Sequence, residues 1–264
     1  MGANLFTPED LEMALDRVLN EHTRNSVFVT SAPQLALIRE CRSRWIERLG
    51  AAVNEGQYSP SPSQIVDVPK SYAAVRPGML LTLEDQVVYT ACVGKAASAI
   101  VAATSWAKPP RDFAYRIRDP KQRDWITYSY VCWKEFRRES TSALDAGAQL
   151  MVSADITAFY EHIAHEHLLS DLRGINVNEA IVGLIGTCLG RWAAINGRGI
   201  PQSCNPSHLL AKIYLNVVDR GLFDAGFSHA RYVDDTRIFC ADRAETKRAL
   251  LYFTTALRRR GLSL

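Results

Sequence analysis

The chain has 264 residues, a net charge of +3, 47% hydrophobic and 22% charged residues. That balance is ordinary for a soluble globular protein, and the length buries a sizeable core without staples. The mild positive charge permits nucleic-acid binding without arguing for it, and the absence of a C-x-x-C pair among Cys41, Cys92, Cys132, Cys188, Cys204 and Cys240 weighs against a zinc site. Several of these cysteines sit in apolar runs, as small core residues of a reducing cytoplasm do. No basic stretch precedes an apolar one at the N-terminus, and no run approaches about 18 to 20 apolar residues, so neither a signal peptide nor a membrane span is expected.

Thr7-Pro8-Glu9-Asp10 opens a helix: Thr7 caps, Pro8 fits the first turn, and the acids favour the positive end. Leu11, Leu15, Val18 and Leu19 come next at helical spacing. A second helical stretch is predicted from about 33 to 53, with Leu37, Ile38, Cys41, Trp45, Ile46 and Leu49 on one face. Pro60 and Pro62 mark a break, which divides an N-terminal helical extension, 1–63, from the remainder of the chain. Residues 65–70 read as a short strand ending at Lys70. Arg76-Pro77 comes shortly after, then an alanine-rich helix from about Leu83, packed through Val87, Val88, Ala91, Cys92 and Ala99. Lys70 and Arg76, a short loop apart, suit a polyphosphate, with ordinary surface charge as the alternative.

Residues 104–124 read as an irregular basic segment. Residues 127–146 look helical, with Tyr130, Val131, Trp133, Phe136 and Leu144 as anchors. Trp125, Tyr128, Tyr130 and Trp133 interleave with basic residues, which suits either base stacking or core packing. Residues 149–154 form an apolar strand that delivers Asp155 at its end. The helix after it carries Ile163, Leu168 and Leu169. His162 and His165 are placed to share a face, so a metal reading competes with that of polar-face histidines. A strong amphipathic helix spans 178–192. A loop, Gly199-Ile200-Pro201-Gln202, then feeds a helix carrying Leu209, Leu210, Ile213 and Val217. A polar loop at a helix start is a good place for a phosphate or a base edge. Next, Tyr232-Val233 and Ile238-Phe239-Cys240 flank Asp234-Asp235, which reads as a β-hairpin with carboxylates at its tip. One more helix covers 244–260.

A strand ending in Asp155, a Gly-Ile-Pro-Gln loop leading into a helix, and an acidic hairpin stand in that order. Here the sequence resembles the reverse transcriptases. Residues 153–160, Ser-Ala-Asp-Ile-Thr-Ala-Phe-Tyr, resemble their first palm motif. Residues 199–215 resemble the second, and Tyr232-Val233-Asp234-Asp235 the third. Val68-Pro69-Lys70, Arg76-Pro77 and residues 84–89 resemble the fingers. The resemblance implies an α+β right-hand polymerase: an antiparallel-sheet palm at 149–264, helical fingers at 64–148, and the helical extension.

It also implies RNA-directed DNA polymerase activity, with deoxynucleoside triphosphates as substrates, an RNA template and a DNA product. Two magnesium ions, with manganese as a substitute, would be held by Asp155, Asp234, Asp235 and the carbonyl of Ile156. Lys70 and Arg76 would cradle the triphosphate. Tyr160 would crowd a ribose 2′-hydroxyl, Gln202 would lie near the nascent base pair, and Tyr232 would pack near the primer terminus. Ser203 stands where many members have glycine, at the template side. The chain stops where members continue into a thumb, so a truncated protein is expected. The likeness is strongest to bacterial defence-associated and abortive-infection enzymes, with retron and group II intron enzymes as relatives. Three readings are compatible with it: copying of an associated non-coding RNA, untemplated or protein-primed DNA synthesis, and a non-catalytic RNA-binding module. A homo-oligomer is compatible with each.

Overall fold

The computed structural model describes residues 4–24, 32–69, 75–202 and 204–264. Helix α1 (Pro8–Arg24) is capped reciprocally, since Asp10 N–H donates to Thr7 Oγ1 at 3.3 Å and Thr7 N–H to Asp10 Oδ2 at 2.9 Å. Leu11, Leu15 and Val18 on its inner face are buried. The predicted second helix is two, α2 (Ala32–Glu40) and α3 (Arg42–Asn54). On the two sides of the break at Cys41, Ile38, Ile46 and Leu49 are buried while Leu37 and Cys41 are exposed.

An antiparallel hairpin comes next, β1 (Gln64–Pro69) and β2 (Val75–Leu80), with Val68 opposite Arg76. Helix α4 (Leu83–Thr104) then runs through the core against α1 and two later helices. It corrects one expectation, because α4 is long and apolar enough to cross a membrane. Its buried side chains face packed helices on several sides, and buried Asp85 is tied to the Tyr58 hydroxyl at 2.5 Å and to Ser61 N–H at 3.1 Å. That is the apolar surround of a core helix.

Helix α5 (Ser129–Asp145) buries Cys132, Phe136 and Ser140. Of the predicted anchors Phe136 is buried, whereas Tyr130, Val131, Trp133 and Leu144 are exposed. Strand β3 (Leu150–Ala154) leads to a short helix α6 (Phe159–His162), then α7 (His165–Gly174) and α8 (Glu179–Trp192). Helix α9 (Asn205–Asp224), strands β4 (Ser228–Tyr232) and β5 (Asp235–Cys240), and helix α10 (Arg243–Arg259) complete the chain. The second sheet is antiparallel in the order β3-β5-β4. The architecture is α+β, with helices α5 and α10 packed on this sheet.

The irregular segment between α4 and α5 is held by the N-terminal helix. Arg17 donates to the carbonyls of Pro120 (2.7 Å) and Gln122 (2.9 Å), and its guanidinium lies 4.0 Å from the Trp125 ring centroid. Burial pulls its pKa down to about 10. Gly94 makes room, since a Cβ there would sit 3.0 Å from Arg17 Nη1. The basic cluster of this segment is mostly committed to ion pairs: Arg116 with Glu135, Arg118 with Asp124, and Arg123 with Asp16. Arg17→Ala should lower stability by about 2–3 kcal/mol, the scale of losing charge-assisted hydrogen bonds, read as a shifted urea midpoint at unchanged slope.

Candidate active site

The sheet register decides where the carboxylates meet. On β3 and β5, Ser153 pairs with Arg237 and Ala154 with Thr236. Continuing by one residue sets Asp155 opposite Asp235. Tyr232 pairs with Asp235 across the hairpin, leaving Val233 and Asp234 as a two-residue turn. Asp155, Asp234 and Asp235 therefore converge on the same end of the sheet. All three line one open cavity.

Ser153 Oγ lies 3.5 Å from Asp235 Oδ1, and Arg237 is 3.7 Å from the same carboxylate. Burial first, then Asp155 and Asp235, push the Asp234 pKa above the usual carboxylate range. Burial also raises Asp235, with Arg237 and Ser153 working against it and Asp155 adding to it. Carboxylates so crowded are relieved by a cation. Among the described residues no three His, Cys, Asp or Glu side chains close on one point as a ready-made ion site. An ion held here would complete its shell with substrate phosphate oxygens and water, as magnesium commonly does. The donor set, hard carboxylate oxygens, fits that ion.

Other predicted residues reach the same cavity. Arg76 enters from β2, Tyr160 from α6, Gln202 from the loop before α9, and Tyr232 from β4; Ile156 also lines it, its side chain buried. Tyr232 packs edge-on to Trp133, with ring centroids 5.0 Å apart, and its hydroxyl donates to the Ser129 carbonyl at 3.3 Å. Tyr160 is held through its backbone, since Ile200 N–H donates to its carbonyl at 3.0 Å. Lys70 and Ser203 lie outside the described residues.

The histidine reading is corrected. His162 ends α6 and His165 begins α7, so they share no helix face. His162 Nδ1 meets the Ala158 carbonyl at 3.0 Å, and His165 Nε2 meets the Gly199 carbonyl at 2.7 Å. His165 thus pins the Gly-Ile-Pro-Gln loop, and burial lowers its pKa.

A buried charge network behind the hairpin was not legible in the sequence. Arg231, fully enclosed, donates to Asp219 (3.0 Å from Nε, 2.6 Å from Nη2) and to Asp112 (2.9 Å). Its Nη1 donates to the Val233 carbonyl at 2.8 Å. Val233 has φ +60, a left-handed conformation that a β-branched residue resists. The guanidinium thus grips the strained turn that presents Asp234. Lys212 Nζ, also buried, meets Asp112 at 2.7 Å. Burial pushes the Asp219 pKa up, but Arg231 and His229 outweigh it and hold it well below the usual range.

A three-stranded antiparallel sheet with helices against it, carrying carboxylates on a strand end and a hairpin tip, suits the holding of divalent cations between separate chain segments. The family model described as reverse transcriptase (RNA-dependent DNA polymerase) matches residues 84–264. The chain belongs to the reverse transcriptase family. Solved structures share the right-hand fold. A partial Cas6-RT-Cas1–Cas2 complex matches at TM-score 0.51 and 19% identity, over 96% of this chain and 39% of that one. Telomerase from Candida albicans, bound to a telomeric RNA fragment, matches at TM-score 0.53 and 12% identity, over 86% and 46%. Apo telomerase from Candida tropicalis, truncated from its C-terminal domain, matches at 0.52 and 12%, over 86% and 53%. This chain spans about two-fifths to half of those chains' length. No curated protein matches.

Arg231→Met should destabilise the protein by about 3–5 kcal/mol by leaving buried carboxylates uncompensated. The sign with pH is set by Asp219, whose folded pKa is depressed. The network's contribution is complete above the unfolded value of about 3.9 and fades as pH falls below it. Chemical denaturation should therefore find the gap between wild type and Arg231→Met narrowing at pH 3.

Proposed function

We propose that this chain is the catalytic core of an RNA-directed DNA polymerase that joins a deoxynucleotide to a primer end, and that it serves bacterial antiphage defence. The observation that carries the polymerase reading is the convergence of Asp155, Asp234 and Asp235 with Arg76, Tyr160 and Gln202 on one cavity. The defence role rests on sequence likeness alone.

Asp155 and Asp234, assisted by Asp235 and the Ile156 carbonyl, would hold two divalent ions, magnesium with manganese as substitute. Such ions activate a primer hydroxyl and neutralise the leaving phosphate oxygen in an in-line displacement. Arg76, with Lys70, binds the triphosphate through a fork of donors and a point charge. Tyr160 sets its ring against the sugar and excludes a 2′-hydroxyl. Gln202 faces the nascent pair, and Tyr232, braced by Trp133, seats the primer end. Domain roles accord with the same reading: extension at 1–63, fingers at 64–148, palm from 149.

The raised pKa values of Asp234 and Asp235 set a direction for metal affinity. Protons and cations compete for the same oxygens, so magnesium binding should weaken as pH falls from 7 to 5. Isothermal titration at several pH values would show it, and pH-independent affinity would contradict these ligands.

The decisive assay uses the full natural protein, purified with its nucleic acid retained, supplied with magnesium and labelled deoxynucleotides. Incorporation should be lost in Asp234→Ala/Asp235→Ala and after RNase. Label that resists RNase and migrates with the protein until protease is added would replace templated copying by protein-primed synthesis. Activity surviving the double substitution would overturn the site.

A further inference from the structure

Tyr160 is fixed at its far end by a residue that none of its assigned neighbours includes. Its hydroxyl is hydrogen-bonded to His208 Nδ1 at 2.5 Å, and the two rings stand edge to face, with centroids 5.6 Å apart. His208 lies in the first turn of α9, just after buried Ser207, which shares a hydrogen bond with Tyr89 at 2.9 Å. Its other face is covered by Tyr115, stacked with centroids 3.7 Å apart and planes 11° from parallel. Tyr115 reaches that place through a backbone φ of +43. A tyrosine ring with a positive φ is uncommon and persists where surrounding structure fixes it. Tyr115 and His208 both line the carboxylate cavity, and both also line a second cavity behind it. The stacked pair is thus lining common to the two spaces.

The consequence for Tyr160 is geometric. Its backbone carbonyl is tied to Ile200, and Phe159 packs against its ring at 5.3 Å. Two torsions orient a tyrosine ring, and an anchor at each end removes the swing that would open space beside the sugar. Burial and nearby Arg76 push the His208 pKa down to about 3, so the imidazole is neutral and its bond to the phenol is unaffected by ordinary pH.

We propose that His208, braced by the stacked Tyr115, is a positioning residue that fixes the Tyr160 ring and thereby sets discrimination between deoxy- and ribonucleoside triphosphates. This rests on the reading of Tyr160 as the sugar-facing ring. His208 acts through Tyr160 and touches no reacting atom.

The test measures kcat/KM for dGTP and for GTP with the full natural protein and a set of variants. Tyr160→Phe removes the bond from one side without disturbing α9, and His208→Leu removes it from the other. Each should lower discrimination about 3- to 10-fold, the scale of one lost hydrogen bond, by raising GTP use rather than by lowering both rates. The double variant should be no worse than either single one. His208→Asn keeps a hydrogen-bonding atom at similar reach but not the stacked ring, and should recover most of the discrimination. Wild-type discrimination in Tyr160→Phe and His208→Leu, or an equal fall in both rates, would overturn the role of His208. Tyr160→Ala separates the two readings. If it leaves discrimination unchanged, the sugar-facing role of Tyr160 fails and His208 with it. If it relaxes discrimination while the other variants do not, only His208 fails.

Discussion

A guanidinium sealed beneath the hairpin is the contact on which the site depends. Arg231 is on β4, one residue before Tyr232, and it binds Asp219 of α9, Asp112 of the irregular segment, and the carbonyl of Val233. Charges in such a place lose their hydration, and they are tolerated because each finds a partner of opposite sign with hydrogen bonds in the correct plane. The bond to Val233 adds something an apolar filling would not. It holds the carbonyl of a turn residue at φ +60, which an L-residue with a branched Cβ would otherwise leave. The position of Asp234 is therefore set by a charge network packed behind it and not by the turn's own preference.

From that fixed hairpin the rest of the cavity is built by pairing and capping. The β3–β5 register brings Asp155 beside Asp235. The Gly199-Ile200 loop is sewn to α6 and α7 by main-chain bonds and by His165, so Tyr160 and Gln202 arrive on the same wall. The N-terminal extension also takes part. Glu21 of α1 accepts a bond from Asn205 N–H at 2.7 Å, at the start of α9. Burial raises its pKa to about 7. Chain segments far apart in sequence meet at one charged cavity, and each is held by contacts outside it.

Much of this architecture is readable along the chain. The apolar strand before Asp155, the capped start of α1, the α8 stripe and the acidic hairpin each arise from periodicity, turn residues or spacing, which are local properties, while the palm motifs are legible through their likeness to the family. Phe136 is the α5 anchor that matches expectation; the others differ because apolar residues lie on more than one side of this helix, and only the sheet it packs on selects Cys132 and Phe136 over Val131 and Leu144. The break at Cys41 has no proline or glycine to announce it. In α4, single hydrophobic residues and alanines give no clear stripe, because it is buried on several sides.

Family, α+β class and candidate carboxylates are all written in the sequence, because motif residues and their order are carried by the chain whatever its neighbours. Which charges serve chemistry and which serve architecture is a matter of tertiary structure. Arg231 of β4, Asp112 of the irregular segment, and Asp219 and Lys212 of α9 look like ordinary surface charges until the fold encloses them. His208 and Tyr115 likewise become partners only when α9 and the irregular segment close on the same cavity. Long-range burial and pairing create these roles, and no local pattern in the chain records them.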